Sequence, residues 1–105
     1  MKIAFDLDGV AWAHRELFRS IAYGLKAKGH EIGILTAHKD LRDADLVLWK
    51  ARGFPDVDFY ISKNESPQTI AQTDKSWKLN QFIKYKIDYL FEDWDTGEVQ
   101  LIVGT

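Results

Sequence analysis

The stretch Ile3-Ala4-Phe5-Asp6-Leu7-Asp8-Gly9-Val10 joins a short apolar run to two aspartates and a glycine. The apolar run predicts a first β-strand, and side chains two residues apart in an extended chain point the same way. We therefore expect Asp6 and Asp8 to present two carboxylates beyond the carboxyl end of this strand, where Gly9 lets the backbone turn away. Two carboxylates this close favour a bound cation or a retained proton. A plain turn, in which aspartate and glycine are common, is the alternative for the stretch alone.

The rest of the chain alternates between predicted helices and predicted strands. Apolar residues recur at helical spacing in three segments, which are 16–28, 40–52 and 77–86. Three further segments are predicted to be strands: 32–36, 57–62 and 87–91. This alternation is typical of a parallel sheet covered by helices, so we predict one α/β domain over residues 1–105. For the last segment, from Trp94, a helical turn with an edge strand and a hairpin turning at Asp95-Thr96-Gly97 both fit.

The second predicted helix carries a prediction about assembly. Asp40 is a plausible N-cap, and the apolar stripe that we expect to face the core comprises Leu41, Ala44, Val47, Leu48 and Ala51. Trp49 falls outside that stripe, which predicts an exposed position or a half-buried flank. If exposed, this helix face near Trp49 is a candidate contact for a homo-oligomer.

Composition excludes several classes of protein. The chain has 105 residues, of which 46% are hydrophobic and 29% charged, as in ordinary globular domains. It has no cysteine, which excludes disulfides, thiol nucleophiles and thiolate metal sites. No apolar run approaches the roughly 18 residues of a membrane span, and the amino terminus lacks a signal-peptide pattern, so we expect a cytoplasmic protein. A net charge of −2 argues against a broadly basic nucleic-acid-binding surface.

Polar side chains also follow two other predicted strands. Thr36 ends the second strand, and Glu92 and Asp93 follow the fourth. In an open parallel sheet, ligands bind beyond the carboxyl ends of the strands. Lys78 lies at the start of the helix before the fourth strand, where a cation opposes the helix dipole at a cost of roughly 0.3–1 kcal/mol. An anion bound at that helix end would offset this cost.

Taken together, these residues resemble the four ordered motifs of the haloacid dehalogenase superfamily of phosphotransferases. The matching segments are Asp6-Leu7-Asp8-Gly9-Val10, Ile34-Leu35-Thr36-Ala37, Lys78 and Leu90-Phe91-Glu92-Asp93. Lys63 and Lys75 compete with Lys78 for the third motif, although Lys78 has the spacing that a helix and a strand require. The resemblance covers nearly the whole chain, from the first strand to Asp93. It implies a three-layer Rossmann-like fold with a mainly parallel central sheet.

The resemblance also implies catalytic and phosphate-binding roles. Asp6 would be the nucleophile that forms an aspartyl-phosphate, and Asp8 would act as general acid and then general base. Members of the family that cleave carbon–halogen bonds lack the second aspartate, so Asp8 favours phosphoryl chemistry. Thr36, the backbone N–H of Ala37 and the ammonium of Lys78 would hold the phosphate.

A magnesium ion is the cofactor that the resemblance implies. Its ligands would be carboxylate or carbonyl oxygens, which suit a hard cation. The residues concerned are Asp6, Asp8 through its carbonyl oxygen, Asp93 and, from the acidic pair, Glu92. Asp95 and Glu98 are alternatives for a water-mediated contact with the metal.

The family's cap domains, which choose the substrate, have no room in this chain. The two insertion points correspond to residues 10–15 and 63–76, and both are too short for a domain. We therefore expect an open site, whose candidate rim residues are Trp12, His14, Arg15 and His38. A nucleobase could stack on Trp12, or on Trp77 or Trp94, which also adjoin motif residues. Packing in the core is the alternative for each tryptophan.

We accordingly predict a capless Mg²⁺-dependent phosphatase that hydrolyses phosphomonoesters through an aspartyl-phosphate. A nucleotide or a nucleic-acid end is the favoured substrate. The alternatives are a receiver-like signalling domain and a non-catalytic phosphate-binding module. A receiver carries its phospho-accepting aspartate after a middle strand, whereas here the middle strand ends in Ile61-Ser62 without an acid.

Overall fold

The structure is a computed structural model that describes residues 1–104, and this part of the chain forms five strands and three helices. Their bounds are β1 (Lys2–Phe5), α1 (Arg15–Ala27), β2 (Glu31–Leu35), α2 (Arg42–Ala51), β3 (Phe59–Ile61), α3 (Asp74–Lys84), β4 (Tyr89–Glu92) and β5 (Gln100–Val103). A turn over Leu7–Ala11, whose backbone is not helical at Asp8 and Gly9, links β1 to the segment before α1. The predicted α/β alternation is confirmed.

The strands form a single sheet in the order β3-β2-β1-β4-β5. β1 pairs in parallel with both β2 and β4, and β3 pairs in parallel with β2. β5 runs antiparallel to β4, with Glu92 opposite Gln100, so the segment after Trp94 returns along the sheet as a hairpin. The mainly parallel central sheet that we predicted is therefore confirmed, and β5 adds one antiparallel edge.

Helices cover both faces of the sheet. On one face, Ile3 and Phe5 of β1 share a core with Phe18 of α1 and Trp49 of α2. On the other face, Ala4 shares a core with Phe82 of α3. Because alternate residues of β1 enter different cores, the central strand is buried on both sides, and the molecule has three layers.

The start of α2 differs from the prediction. The helix begins at Arg42 with Leu41 in the N-cap position, and Asp40 does not cap it. Asp40 has a φ of 59°, and its backbone N–H donates to Asn64 Oδ1 at 2.7 Å while its own Oδ1 accepts from Asn64 Nδ2 at 2.7 Å. Asp40 therefore ties the loop before α2 to the loop after β3.

The buried face of α2 also differs from the prediction, because Trp49 is neither exposed nor on a half-buried flank. A homo-oligomer contact through this helix stays a prediction. Trp49 is only 2% exposed. Its ring stacks on Phe54 at 4.1 Å between centroids, and its indole N–H donates to the carbonyl oxygen of Pro55 at 2.6 Å. The predicted inward stripe faces solvent instead, with Val47 70% exposed. Ring stacking and a satisfied indole N–H stabilise the buried tryptophan.

The two connections at which a cap domain would be inserted are short. Residues 12–14, before α1, and residues 62–73, after β3, contain no helix or strand. Neither connection therefore forms a domain that covers the carboxyl ends of the parallel strands. Within residues 1–104, none of the helices is both long enough and apolar enough to cross a membrane.

Candidate active site

The predicted site residues converge at the carboxyl ends of β1, β2 and β4. The chain leaves β1 toward β2 on one side and returns as β4 on the other, and such a switch point is where open α/β sheets bind ligands. A cavity of about 200 Å³ lies there. It is lined by Asp6, Asp8, Thr36, Ala37, His38, Asp74, Lys75, Lys78, Glu92, Trp94 and Asp95.

Asp6 and the end of β4 are aligned by the backbone. The N–H of Asp6 donates to the carbonyl oxygen of Phe91 at 3.0 Å, which extends the pairing of β1 with β4 by one residue. Asp6 therefore comes to lie beside Glu92 and Asp93. This is the arrangement expected for polar residues that directly follow neighbouring parallel strands.

Gly9 brings the turn after β1 against Asp93. Its φ is +75°, in the left-handed region that glycine adopts at little cost. A Cβ atom at this position would lie 1.9 Å from Asp93 Oδ2. Both the backbone conformation and the limited space therefore require glycine at this position. The turn after β1 packs directly against Asp93.

Lys78 is buried between two carboxylates. Its Nζ lies 2.6 Å from Asp6 Oδ1 and also donates to Glu92 Oε2. The three side chains are only 4–9% exposed. Thr73 sets the start of α3, because its hydroxyl accepts from the N–H of Ser76 at 3.1 Å while Ser76 Oγ accepts from the N–H of Thr73. This cap fixes the turn of helix from which Lys78 reaches the site.

The two competing lysines make other contacts. Lys63 pairs with Asp74 at 2.8 Å, and the Nζ of Lys75 lies 5.0 Å from the centre of the Trp94 ring at the cavity wall. Of the three candidates, Lys78 is the one in contact with Asp6.

The inner part of the site carries an excess of acidic groups. Asp6, Glu92 and Asp93 can each present a carboxylate oxygen within 4.8 Å of the others, and all three residues are buried. Burial raises the pKa of Asp6 to about 7, although the ammonium of Lys78 opposes this shift. Three carboxyl groups facing one ammonium leave a deficit of positive charge that a divalent cation would balance.

These acidic residues fit a magnesium ion. Two oxygens on opposite sides of Mg²⁺ lie about 4.2 Å apart, twice the usual Mg–O distance, and the ligand atoms of the three carboxylates lie within 4.8 Å of one another. Both oxygens of Glu92 already accept hydrogen bonds, from Lys78 and from the N–H of Trp94. Asp6 and Asp93 are therefore the carboxylates best able to turn toward a cation, with Glu92 supporting Lys78.

We expect Asp93→Ala to weaken magnesium binding by more than about tenfold, because a charged oxygen ligand is lost. The measurement is the rise in melting temperature with Mg²⁺ concentration, since a ligand that binds the folded state stabilises it. The same change should raise stability in metal-free buffer, because carboxylate repulsion is relieved.

Asp56→Ala is the matched control for this prediction, because Asp56 is an exposed aspartate in the connection between α2 and β3. It should leave the Mg²⁺ midpoint unchanged. Equal shifts in the two variants would contradict the assignment of Asp93 as a ligand.

Thr36 and Ala37 line the cavity next to this cluster. Thr36 Oγ1 accepts a hydrogen bond from the N–H of His38 at 3.2 Å. Because this contact uses a lone pair of the hydroxyl, its hydrogen remains free to be donated to an anion in the cavity. Thr36 is therefore a candidate donor to a bound phosphate.

Asp8 is held by a row of side chains that leads into the core. Its Oδ2 lies 2.7 Å from His38 Nε2, and His38 Nδ1 lies 2.8 Å from Asp45 Oδ2. The hydroxyl of Tyr60 donates to the same oxygen of Asp45 at 2.7 Å. Burial lowers the pKa of His38, but its hydrogen bonds to Asp45 and Asp8 outweigh burial and raise that pKa above its ordinary value.

The sequence predicts His38 as a site residue, but it does not predict Asp45 or Tyr60. Asp45 lies on the face of α2 that the apolar pattern assigned to solvent, and Tyr60 lies within β3. The only signal in the sequence is an acidic residue seven positions after His38. It becomes informative only when the buried face of α2 is known.

Three of the four predicted rim residues do not line the cavity. The ring of Trp12 packs at 6.2 Å from those of Trp49 and Phe54, beneath the guanidinium of Arg52 at 4.5 Å. The ring of His14 lies 6.3 Å from that of Phe18. Arg15, the first residue of α1, is also absent from the lining.

His38 is the rim prediction that does reach the cavity, and Trp94 is the aromatic residue that joins it there. Trp94 directly follows the acidic pair Glu92-Asp93, so the hairpin formed by β4 and β5 contains both the acidic pair and Trp94. Trp77, by contrast, is buried in the core, with its indole N–H donating to the carbonyl oxygen of Ser66 at 2.6 Å.

Comparison of the chain with protein-family models, with curated proteins and with solved structures found no match.

Proposed function

We propose that this chain is a capless, haloacid dehalogenase-like phosphatase that hydrolyses phosphomonoesters with the help of Mg²⁺. The observation that carries the proposal is the buried contact between Asp6 and Lys78, at 2.6 Å, beside the acidic pair that ends β4. Asp8 and Thr36 line the same cavity. The residues that we propose as nucleophile, general acid and phosphate donors thus line one cavity of about 200 Å³.

The first step is transfer of the phosphoryl group to Asp6. A carboxylate oxygen of Asp6 attacks phosphorus, the bond between phosphorus and the ester oxygen breaks, and Asp8 gives a proton to the leaving oxygen. Lys78 and Thr36 donate to the phosphoryl oxygens as the transfer occurs. A magnesium ion bound at Asp6 and Asp93 would supply positive charge against the phosphate.

The second step releases phosphate. Asp8, now a carboxylate, takes a proton from a water molecule, whose oxygen attacks phosphorus and breaks the bond to Asp6. The nucleophile and the protonated Asp8 are regenerated, so each cycle consumes one ester and one water. The open carboxyl edge of the sheet gives water direct access to the intermediate.

The strand order supports this proposal over a receiver domain. The observed order β3-β2-β1-β4-β5 corresponds to the 3-2-1-4-5 order of Rossmann-type sheets. Receiver-type sheets run 2-1-3-4-5 instead. In addition, β3 ends at Ile61 and is followed by Ser62, where a receiver's phospho-accepting aspartate is expected.

The test is a screen of phosphomonoesters with Mg²⁺ and with EDTA. The panel comprises p-nitrophenyl phosphate, nucleotides, sugar phosphates and oligonucleotides phosphorylated at the 3′ or 5′ end. We expect hydrolysis with Mg²⁺, its loss in EDTA, and its recovery when Mg²⁺ is restored. Turnover that is indifferent to EDTA would contradict the site as described. Binding of phosphate or Mg²⁺ without hydrolysis of any ester would favour the non-catalytic module.

A nucleotide or nucleic-acid end is the substrate class that we propose. Trp94 lines the cavity beside the acidic pair, with the ammonium of Lys75 over its ring. A base stacked on an aromatic ring contributes about 1–3 kcal/mol. Trp94→Ala should therefore lower nucleotide turnover by about tenfold or more relative to p-nitrophenyl phosphate, measured as the ratio of kcat/KM values.

Trp12→Ala is the control for this substrate prediction, because Trp12 packs against Trp49 and Phe54 away from the cavity. It should reduce stability but leave the ratio of the two kcat/KM values unchanged. Equal losses on both esters in Trp94→Ala, or a preference for sugar phosphates in the screen, would reject the nucleotide assignment and leave the phosphatase assignment standing.

A further inference from the structure

We propose that His38 is a positioning residue that holds the carboxyl group of Asp8 for proton transfer, and that Asp45 and Tyr60 fix His38 in this role. The inference rests on the proposed function, since Asp8 is the group that it serves. It is carried by three consecutive contacts: Asp8 Oδ2 to His38 Nε2 at 2.7 Å, His38 Nδ1 to Asp45 Oδ2 at 2.8 Å, and the Tyr60 hydroxyl to Asp45 Oδ2 at 2.7 Å.

Exposure along this row increases from the core to the cavity. The side chain of Asp45 is 8% exposed, that of His38 is 20% exposed and that of Asp8 is 72% exposed. An aspartate that is mostly exposed moves freely among its rotamers unless a neighbour restrains it. Among residues 1–104, His38 is the side chain whose hydrogen bond restrains Asp8, and it lies on the cavity wall.

Asp45 gives His38 a fixed orientation. A buried carboxylate is costly without partners, and Asp45 is satisfied by the hydroxyl of Tyr60 and by Nδ1 of His38. A carboxylate at Nδ1 selects the ring orientation and leaves Nε2 facing the other way, toward Asp8. Tyr60 occupies the oxygen that His38 uses, which leaves Asp45 little freedom to rotate.

The backbone of His38 is fixed as well. Its N–H donates to Thr36 Oγ1 at 3.2 Å, and its carbonyl oxygen accepts from the N–H of Lys63 at 3.1 Å. The ring therefore cannot swing away without breaking contacts on both sides. One residue thus orients a phosphate donor through its backbone and the general acid through its side chain.

The expected consequence depends on the leaving group. Proton transfer requires heavy atoms within about 2.6–3.2 Å, and a misplacement of about 1 Å can cost 10²-fold in rate. The p-nitrophenolate ion is stable enough to leave with little help from a proton, whereas an alkoxide is not. Loss of the His38 contact should therefore harm alkyl phosphates selectively.

The experiment compares kcat/KM for p-nitrophenyl phosphate and for a simple alkyl phosphate. For His38→Ala, we expect a loss of about 10- to 100-fold on the alkyl ester and of no more than about threefold on the p-nitrophenyl ester. Inhibition by inorganic phosphate should be unchanged, because phosphate binding does not need the Asp8 proton. A purely structural role would lower both kcat/KM values by the same factor.

Two conservative variants separate positioning from packing. The amide nitrogen of glutamine reaches about as far as Nε2, and that of asparagine about as far as Nδ1. His38→Gln should therefore restore part of the alkyl phosphate activity through Asp8, whereas His38→Asn should restore stability through Asp45 without restoring activity. His30→Ala is the control, since His30 contacts the amino group of Met1 at 3.1 Å, far from this row.

Several results would overturn the inference. Equal losses on the two esters would do so, as would higher alkyl phosphate activity in His38→Asn than in His38→Gln. If His38→Ala does not fold, the comparison of the glutamine and asparagine variants decides alone. Absence of turnover by the unmodified protein on every ester would overturn the proposed function itself, and the inference with it, so the two failures are distinguishable.

Discussion

Asp6→Asn is expected to abolish hydrolysis of p-nitrophenyl phosphate, with a loss of at least about 10⁴-fold in kcat, as is usual when a nucleophile is removed. An amide oxygen is a poor nucleophile toward phosphorus and a poorer metal ligand than a carboxylate. The substitution is nearly isosteric, and an amide oxygen can still accept from Lys78 Nζ, which lies 2.6 Å from Asp6 Oδ1. The fold should therefore survive the loss of activity.

The same variant should be more stable than the unmodified protein in metal-free buffer. Burial raises the pKa of Asp6 from 3.8 to about 7, so the folded protein retains a proton that the unfolded chain loses above pH about 4. The contribution of this group to stability is thus complete below that pH and is lost as the pH rises through 7. Asparagine does not ionise, and its gain at pH 8 should be on the order of 2 kcal/mol.

The measurements for Asp6→Asn are turnover with Mg²⁺ and the free energy of unfolding in EDTA between pH 4 and 8. Asp56→Asn is the matched control, because Asp56 is exposed and lies between α2 and β3. It should change neither turnover nor the pH dependence of stability. Retained activity of Asp6→Asn would eliminate the nucleophile assignment and the proposed mechanism.

The convergence of the candidate site residues was predictable from the sequence because parallel strands end at a common edge. Asp6, Thr36 and Asp93 each follow or end a strand, so knowledge of strand positions alone brings them together. Lys78 was predictable because one helix and one strand separate it from Asp93. The contact of Lys78 with both Asp6 and Glu92 follows from this topology.

The faces of the helices were harder to predict. α2 has apolar residues on opposite sides, and the hydrophobic pattern selected the stripe with Val47, which is 70% exposed, over Trp49, which is 2% exposed. Trp49 is buried because its ring packs against Phe54 and its indole N–H donates to the carbonyl oxygen of Pro55. Neither partner is visible from the helix sequence. Because the buried face of α2 was assigned to solvent, the position of Asp45 and its contact with His38 were not predicted either.

Local capping explains another boundary error. The third helix was predicted to start at Trp77, whereas α3 begins at Asp74. Thr73 and Ser76 cap each other's backbone N–H groups, but the common form of this motif carries glutamate or glutamine where this chain has Ser76. The polar composition of the preceding loop therefore concealed the first turn of the helix.

Gly9→Ala is expected to lower turnover by about 100-fold or more, through displacement of Asp93 and of the metal that it would bind. The added Cβ atom would lie 1.9 Å from Asp93 Oδ2 at a φ of +75°. Because Asp93 is buried and short, it can yield only by leaving its position or by pushing the turn after β1 outward. Either movement separates Asp6 from Asp93, so the Mg²⁺ midpoint should rise together with the loss of activity.

Gly24→Ala is the matched control for this prediction. Gly24 lies within α1, and a Cβ atom there meets nothing within 4 Å, so alanine should stabilise the protein by roughly 0.5–1 kcal/mol. Gly9→Ala should instead destabilise it by about 1–3 kcal/mol, from a left-handed alanine and the displaced carboxylate. Thermal unfolding with and without Mg²⁺ measures both effects. A Gly9→Ala protein with a normal Mg²⁺ midpoint and normal turnover would contradict this prediction. The clash would then have been relieved without moving Asp93, so the turn after β1 would not set the position of that residue.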